Sequence, residues 1–208
     1  MPKDRLMPCE VLPLFSKPLY ISEADEKMPN ILGGIDQFTY NDYGYERSGT
    51  RTDDQAIVHY FPAFKDWLSE HIAEYCFGLQ GIDPEVHKVE ITASWINIYP
   101  KGCRAKPHVH NNAMYSGNVF LQCSSGNLIF ENPYRHQYME PSLRDMNLYN
   151  STQFTLEPKN SVVCIFPADV VHYTEPNESD EDRITLSFNL FVRGNPIWPP
   201  QYKGVESQ

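Results

Sequence analysis

The chain has 208 residues, 41% of them hydrophobic, and its 27 acidic against 17 basic side chains leave a formal net charge of −10. That length and apolar content suit one soluble all-β domain spanning 1–208, while the acidity argues against nucleic acid as a partner, because phosphate binding draws on clustered Lys and Arg. No apolar run approaches a membrane-spanning helix and no signal-peptide core follows Met1-Pro2-Lys3-Asp4-Arg5, so a cytoplasmic chain with no membrane association is expected.

Residues 12–50 are punctuated by Pro, Gly, Asn and Asp, which predicts short strands and loops without a repeat. Phe61, Phe64, Leu68, Ile72, Tyr75 and Leu79 then follow steps of three and four, the period of an amphipathic helix. Pro62 fits its first turn, and the apolar face is expected against the outside of a sheet. From Val89 onward strands are predicted at 89–99, 116–122, 127–131, 153–157, 161–166 and 183–192, separated by turn formers such as Pro100-Lys101-Gly102 and Ser124-Ser125-Gly126. Many short strands with one supporting helix predict a mainly β fold, a double-stranded β-helix or jelly roll with its ligand between the sheets. Residues 132–151 form the longest expected loop of this half, of a length typical of functional lids. Cys9, Cys76, Cys103, Cys123 and Cys164 are odd in number and form no CxxC, so buried, reduced thiols are expected rather than a zinc ribbon or a disulfide framework.

The chemistry-bearing pattern is Pro107-His108-Val109-His110, a distant His172, and Arg183-Ile184-Thr185 beginning 11 residues later. A metal ion that activates O2 needs about three protein ligands on one side, with the other positions open. On a strand or at its end, residues i and i+2 point the same way, so His108 and His110 can reach one ion and His172 completes the set from a neighbouring strand. From Arg183 to Val192 the chain alternates: Arg183, Thr185, Ser187 and Asn189 on one face, Ile184, Leu186, Phe188 and Leu190 on the other. A guanidinium beside a hydroxyl, both aimed into a cavity, forms a carboxylate clamp. Each reading has a plainer competitor. His59, His71, His87 and His136 are read as ordinary structural histidines, Arg183 has the acidic turn Asp180-Glu181-Asp182 within reach, and Tyr99 and Asn97, on the face of Trp95, either line the pocket or fill the barrel.

This pattern resembles the Fe(II)- and 2-oxoglutarate-dependent oxygenases, whose signature is His-X-Asp or His-X-Glu, a distal His and an Arg about ten residues further on. Within them it looks most like the 2-oxoglutarate oxygenases of marine bacteria and phages, through Leu14-Phe15 and through His108-X-His110 followed by Ser116-Gly117, with prolyl-hydroxylase-like features in Tyr99 before the first histidine. The resemblance covers about residues 89–193, the expected catalytic core. It implies Fe(II) on His108, His110 and His172, and 2-oxoglutarate and O2 as co-substrates. It also implies a far-carboxylate clamp from Arg183 and Thr185 with Tyr99, Asn97 and Asn118 close by, and hydroxylation of a small-molecule or peptidyl substrate. Two departures stand out. His110 replaces the family's carboxylate, which raises the net charge of an Fe(II) site from near +1 to near +2, and Phe120 stands on the strand where the prolyl-hydroxylase-like branch supplies a tyrosine. Asn112, Asp169 and Glu131 are the candidate replacement oxygen ligands. A three-histidine cupin-type dioxygenase working without 2-oxoglutarate, and a non-catalytic metal-binding jelly roll, share the ligands but give Arg183 no co-substrate to hold.

Overall fold

The alternation that runs from Arg183 to Val192 sorts side chains between two layers, and the rest of the architecture follows from what each layer buries. The computed structural model describes residues 15–134 and 142–194. Its strands are β1 (Tyr20–Ile21), β2 (Tyr40–Asp42), β3 (Thr50–Thr52), β4 (His87–Tyr99), β5 (Tyr115–Gln122), β6 (Leu128–Glu131), β7 (Gln153–Leu156), β8 (Val163–Pro167), β9 (His172–Thr174) and β10 (Arg183–Gly194). Two short 3-10 helices, Leu32–Gln37 and Ile57–Tyr60, and one α-helix, α1 (Pro62–Ala73), precede β4, and α1 continues into a π-helical turn, Glu74–Leu79. No helix among the described residues is long and apolar enough to cross a membrane.

A large sheet has the order β1-β8-β5-β10-β4-β3-β2 and a small one the order β7-β6-β9, all pairs antiparallel. His108 adds a further position to the small sheet, because it bridges His172 on β9. From β4 the chain crosses to the small sheet at His108, returns as β5, crosses for β6 and β7, returns as β8, crosses for β9 and returns as β10. That winding is the expected double-stranded β-helix. His172 opens β9 after the turn at 168–170, the neighbouring strand expected to supply the third ligand, and His108 holds an isolated bridge beside it where a strand or its end was expected.

The outer face of the large sheet buries Ile184, Leu186, Phe188 and Leu190 against Phe64, Leu68 and Ile72 of α1 and Tyr75 and Cys76 of the turn after it. Pro62 opens α1, its missing N–H costing nothing where first-turn donors lack intrahelical partners. The predicted face stops short of Leu79, which is 55% exposed. The π turn is the cause: the Gln80 amide reaches back five residues to the Tyr75 carbonyl, at 2.9 Å, and the extra residue rotates Leu79 off the sheet. Between the sheets a second cluster, including Phe120, Leu128, Phe130, Cys164, Phe166 and Val170, closes one end of the barrel.

Gly117 on β5 fixes how closely β5 and β10 pack. A Cβ there would stand 2.2 Å from Cζ and 2.7 Å from Cε1 of Phe188, a ring with no room to move in the filled outer core. Gly117→Ala is therefore expected to destabilise the fold by about 1–3 kcal/mol, read as a lower midpoint at unchanged slope in urea unfolding. An unchanged midpoint would show that Phe188 repacks freely.

Of the expected 132–151 loop, residues 135–141 and with them His136 lie outside the described residues. Its base is closed by Asn132, whose backbone amide donates to the Thr152 carbonyl and whose side-chain amide donates to the Ser151 carbonyl, each at 3.0 Å.

Candidate metal and co-substrate site

The bridge between His108 and His172 is a two-way backbone pair, each amide donating to the other's carbonyl at 3.0 Å. The His110 amide donates to the Ala168 carbonyl at 2.9 Å, so the segment 108–110 lies locked against the turn that leads into β9. The consequence is convergence. One nitrogen from each of His108, His110 and His172 lies within 4.8 Å of the other two, and no carboxylate joins this cluster among the described residues.

The ring orientations are set from behind. Nδ1 of His108 sits 2.7 Å from the Lys106 carbonyl and Nδ1 of His172 sits 2.9 Å from the Val170 carbonyl. A carbonyl only accepts, so both Nδ1 atoms carry the proton and both Nε2 atoms keep a free lone pair. Nε2 of His110 and Nε2 of His172 are 3.2 Å apart. Two nitrogens bonded at about 2.1 Å and at a right angle on one ion stand about 3 Å apart, so this spacing fits shared coordination. Burial, followed by the neighbouring His108, pulls the pKa of His110 down to about 4 and that of His172 to about 3. Both rings are therefore neutral at physiological pH, the form in which imidazole binds a metal. The candidate replacement ligands are elsewhere. Asp169 is exposed and ion-paired with Lys17, Asn112 is exposed in a left-handed turn at φ 64°, and Glu131 is exposed on β6.

The imidazoles open into a cavity of about 250 Å³ whose lining includes Trp95, Asn97, Tyr99, Asn118, Arg183 and Thr185. Opposed residues in an antiparallel pair share a face, and Arg183 lies opposite Tyr99, Thr185 opposite Asn97 and Ser187 opposite Trp95. The polar face of β10 is thus the cavity wall, as the alternation predicts. Arg183 is 2% exposed, yet Nε and both Nη atoms have no hydrogen-bond partner among the described residues. It does not pair with the acidic turn, where Asp180 instead meets Lys101 at 2.6 Å. Its guanidinium carbon lies 5.8 Å from the centroids of both the Tyr99 and the Phe120 rings. The guanidinium also offsets part of the burial that raises the Cys123 thiol's pKa. Asn97 ties the wall together: its amide donates to Ser187 Oγ at 2.9 Å and to Thr185 Oγ1 at 3.3 Å, and its Oδ1 accepts from the Tyr43 hydroxyl. Asn118 receives a longer bond from Ser187, at 3.4 Å.

Sequence reasoning does not find Tyr43, Tyr45 or Lys106, all of which line the cavity. The first two arrive on the β2–β3 hairpin, which joins the large sheet beside β4. Tyr43 stacks on Tyr99 with centroids 6.4 Å apart and planes within 7°. Gly49 permits that approach, since a Cβ there would stand 2.2 Å from the Ile98 carbonyl oxygen and 2.5 Å from the Tyr99 ring. Tyr45 donates to the Arg104 carbonyl at 3.0 Å and accepts from the Lys106 amide at 3.3 Å, pinning the hairpin to the loop before His108. The available signal was Tyr43-Gly44-Tyr45, a pair of aromatics in an otherwise polar turn.

Residues 93–189 match a family model described as "Putative 2OG-Fe(II) oxygenase". No curated protein is significantly similar to the chain. Among solved structures, an oxidoreductase of the 2OG-Fe(II) oxygenase family from Burkholderia pseudomallei is 11% identical, with a TM-score of 0.53 over 74% of this chain and 72% of that one. HygX from Streptomyces hygroscopicus, solved with nickel, 2-oxoglutarate and hygromycin B, is 11% identical, with a TM-score of 0.52 over 84% and 82% of the two chains. The epimerase SnoN, in complex with Fe3+, alpha ketoglutarate and nogalamycin RO, is 13% identical, with a TM-score of 0.54 over 84% and 78%. At these identities the solved structures share the fold. The family match spans the histidine cluster, Trp95, Asn97, Tyr99 and Arg183, and makes residues 93–189 similar to the 2-oxoglutarate- and Fe(II)-dependent oxygenases.

Proposed function

We propose that His108, His110 and His172 hold the Fe(II), that Arg183 with Thr185 receives the far carboxylate of 2-oxoglutarate, and that the enzyme hydroxylates a small-molecule or peptidyl substrate. The observation that carries this reading is the pairing of two features in one cavity: three convergent imidazoles, two of them held with the Nε2 lone pair free, and a buried guanidinium with no hydrogen-bond partner among the described residues. An isolated buried charge is costly unless something pairs with it. A carboxylate held by two parallel hydrogen bonds is the partner that a planar guanidinium fits best. Iron with its co-substrates supplies the oxidising chemistry: 2-oxoglutarate and O2 give succinate and CO2, and the second oxygen atom enters a substrate C–H bond.

The remaining steps are those of the chain itself. The Lys106 and Val170 carbonyls hold two imidazoles in the metal-binding tautomer. Three neutral rings leave the ion's charge near +2, which favours an anionic keto acid beside it. Asn97 keeps the Thr185 and Ser187 hydroxyls directed at the wall, so the clamp is organised before the co-substrate enters. Trp95 packs on His110 with centroids 5.7 Å apart, and Phe166 on His172 at 4.7 Å, which limits water around the rings. Hygromycin B in the HygX structure and nogalamycin RO in the SnoN structure support a small-molecule substrate for this fold. The three-histidine dioxygenase alternative leaves Arg183 without a role, whereas here Arg183 lines the cavity. Cys76, Cys103, Cys123 and Cys164 are all unpaired, which supports a reducing, cytoplasmic setting.

The test is an anaerobic titration of Fe(II) with and without 2-oxoglutarate. A visible absorption band is expected only when both are present. No band at saturating concentrations of both would overturn the co-substrate reading.

A further inference from the structure

The mouth of the cavity carries positive charge that the rest of this acidic chain does not explain. Lys106 lines the cavity, with Nζ 4.2 Å from the centroid of the Tyr45 ring. Arg51 on β3 lies opposite Asn97 on β4, so its side chain leaves the sheet on the cavity side, and its guanidinium carbon stands 5.2 Å from the Tyr43 ring centroid. Arg104 is near enough to Tyr45 to favour its ionised form, partly offsetting the burial that raises that phenol's pKa. None of Arg51, Arg104 and Lys106 forms an ion pair among the described residues, whereas Lys17, Lys101 and Arg193 each meet a carboxylate.

The nearby acids form no ion pair with these cations among the described residues. The Asp42 carboxylate is turned into its own hairpin, accepting from the Gly44 amide at 2.5 Å and from the Ser48 hydroxyl at 2.7 Å. Glu46 is exposed on the same hairpin, and residues 100–107 contain two lysines and an arginine with no acid. Two of the cations rest on tyrosine faces, which hold a cation in place without neutralising it. They remain available to an anion. In a chain of net charge −10, such a locally positive mouth concentrates anions near the cavity that holds the imidazoles.

We propose that the primary substrate is an oxyanion, a carboxylate or phosphate on a body that rests against the neighbouring Tyr43 and Tyr45 rings, and that Lys106 and Arg51 grip its charged group. This rests on the reading of the deeper cavity as the iron and 2-oxoglutarate site, because Arg183 is then occupied and the mouth cations serve a second anion.

The experiment is calorimetric titration of the full chain loaded with Zn(II) in place of Fe(II). The first titrant is 2-oxoglutarate; failure to bind defeats the co-substrate reading, and the second stage is then run without it. With 2-oxoglutarate saturating, phenyl phosphate, benzoate and the neutral benzyl alcohol are titrated in turn. At least one anion is expected to bind about tenfold or more tightly than benzyl alcohol, and which one does so tells phosphate from carboxylate. The double variant Lys106→Gln, Arg51→Gln, changed at two exposed side chains, should lose about tenfold in anion affinity, the low end for charged hydrogen bonds. Lys106→Arg should keep most of it. Raising the salt should weaken anion binding further. The proposal is overturned if neither anion exceeds benzyl alcohol, if the double variant binds like the parent, or if the anion displaces 2-oxoglutarate instead of joining it.

Discussion

His110→Ala is expected to lower Fe(II) affinity by more than about 100-fold, the upper end of what loss of a mere supporting partner costs at a metal site, while His110→Asp should retain the metal. The asymmetry follows from the geometry. Nε2 of His110 already stands 3.2 Å from Nε2 of His172, so alanine removes a donor aimed at the shared point. Nothing close by can replace it, because Asp169 is ion-paired with Lys17 on the surface and Asn112 is exposed in its turn. Aspartate restores an oxygen donor and lowers the site charge by one, giving the ligand set usual in the family. Equilibrium Fe(II) binding under nitrogen measures both variants. If His110→Ala held iron as tightly as the parent, the third ligand would have to be sought outside the histidine cluster.

The parts of this site that could be read in the sequence are those encoded by local period. The spacing of His108 and His110 and the alternation from Arg183 to Leu190 depend only on the two-residue repeat of extended chain, and the structure reproduces both. His172 was expected on a neighbouring strand, but the bounds of that strand were not legible, because β9 is three residues long and exists through pairing with β6 and His108. Tyr43 and Tyr45 were not legible. They reach the cavity only because β3 pairs with β4 more than 40 positions away, and no local pattern fixes such a register. The same holds for Leu79, whose exposure depends on a single π turn that the helical period does not announce. The fold class was thus encoded locally, whereas the substrate-facing mouth is a product of long-range pairing.

Arg183 gives the sharpest separation between stability and function. Arg183→Lys keeps the charge but not the planar fork, so 2-oxoglutarate affinity should fall by about 1.5–3 kcal/mol, roughly 10- to 150-fold, with Fe(II) affinity little changed. Arg183→Met goes further, because it removes the charge. In the parent the guanidinium is buried with no hydrogen-bond partner among the described residues, and the Tyr99 and Phe120 rings, each at 5.8 Å, lie near the outer limit for cation–π attraction. The cost of the lone buried charge exceeds that attraction, so the ligand-free Met variant should be more stable than the parent by about 1 kcal/mol or more. It should also lose the added stability that 2-oxoglutarate gives the metal-loaded parent, about 2.7 kcal/mol at a concentration 100 times its dissociation constant. Urea unfolding of both proteins, with and without 2-oxoglutarate, reads all four values. A Met variant that is less stable when ligand-free would mean that Arg183 serves the fold, and one still stabilised by 2-oxoglutarate would place the far carboxylate on another residue.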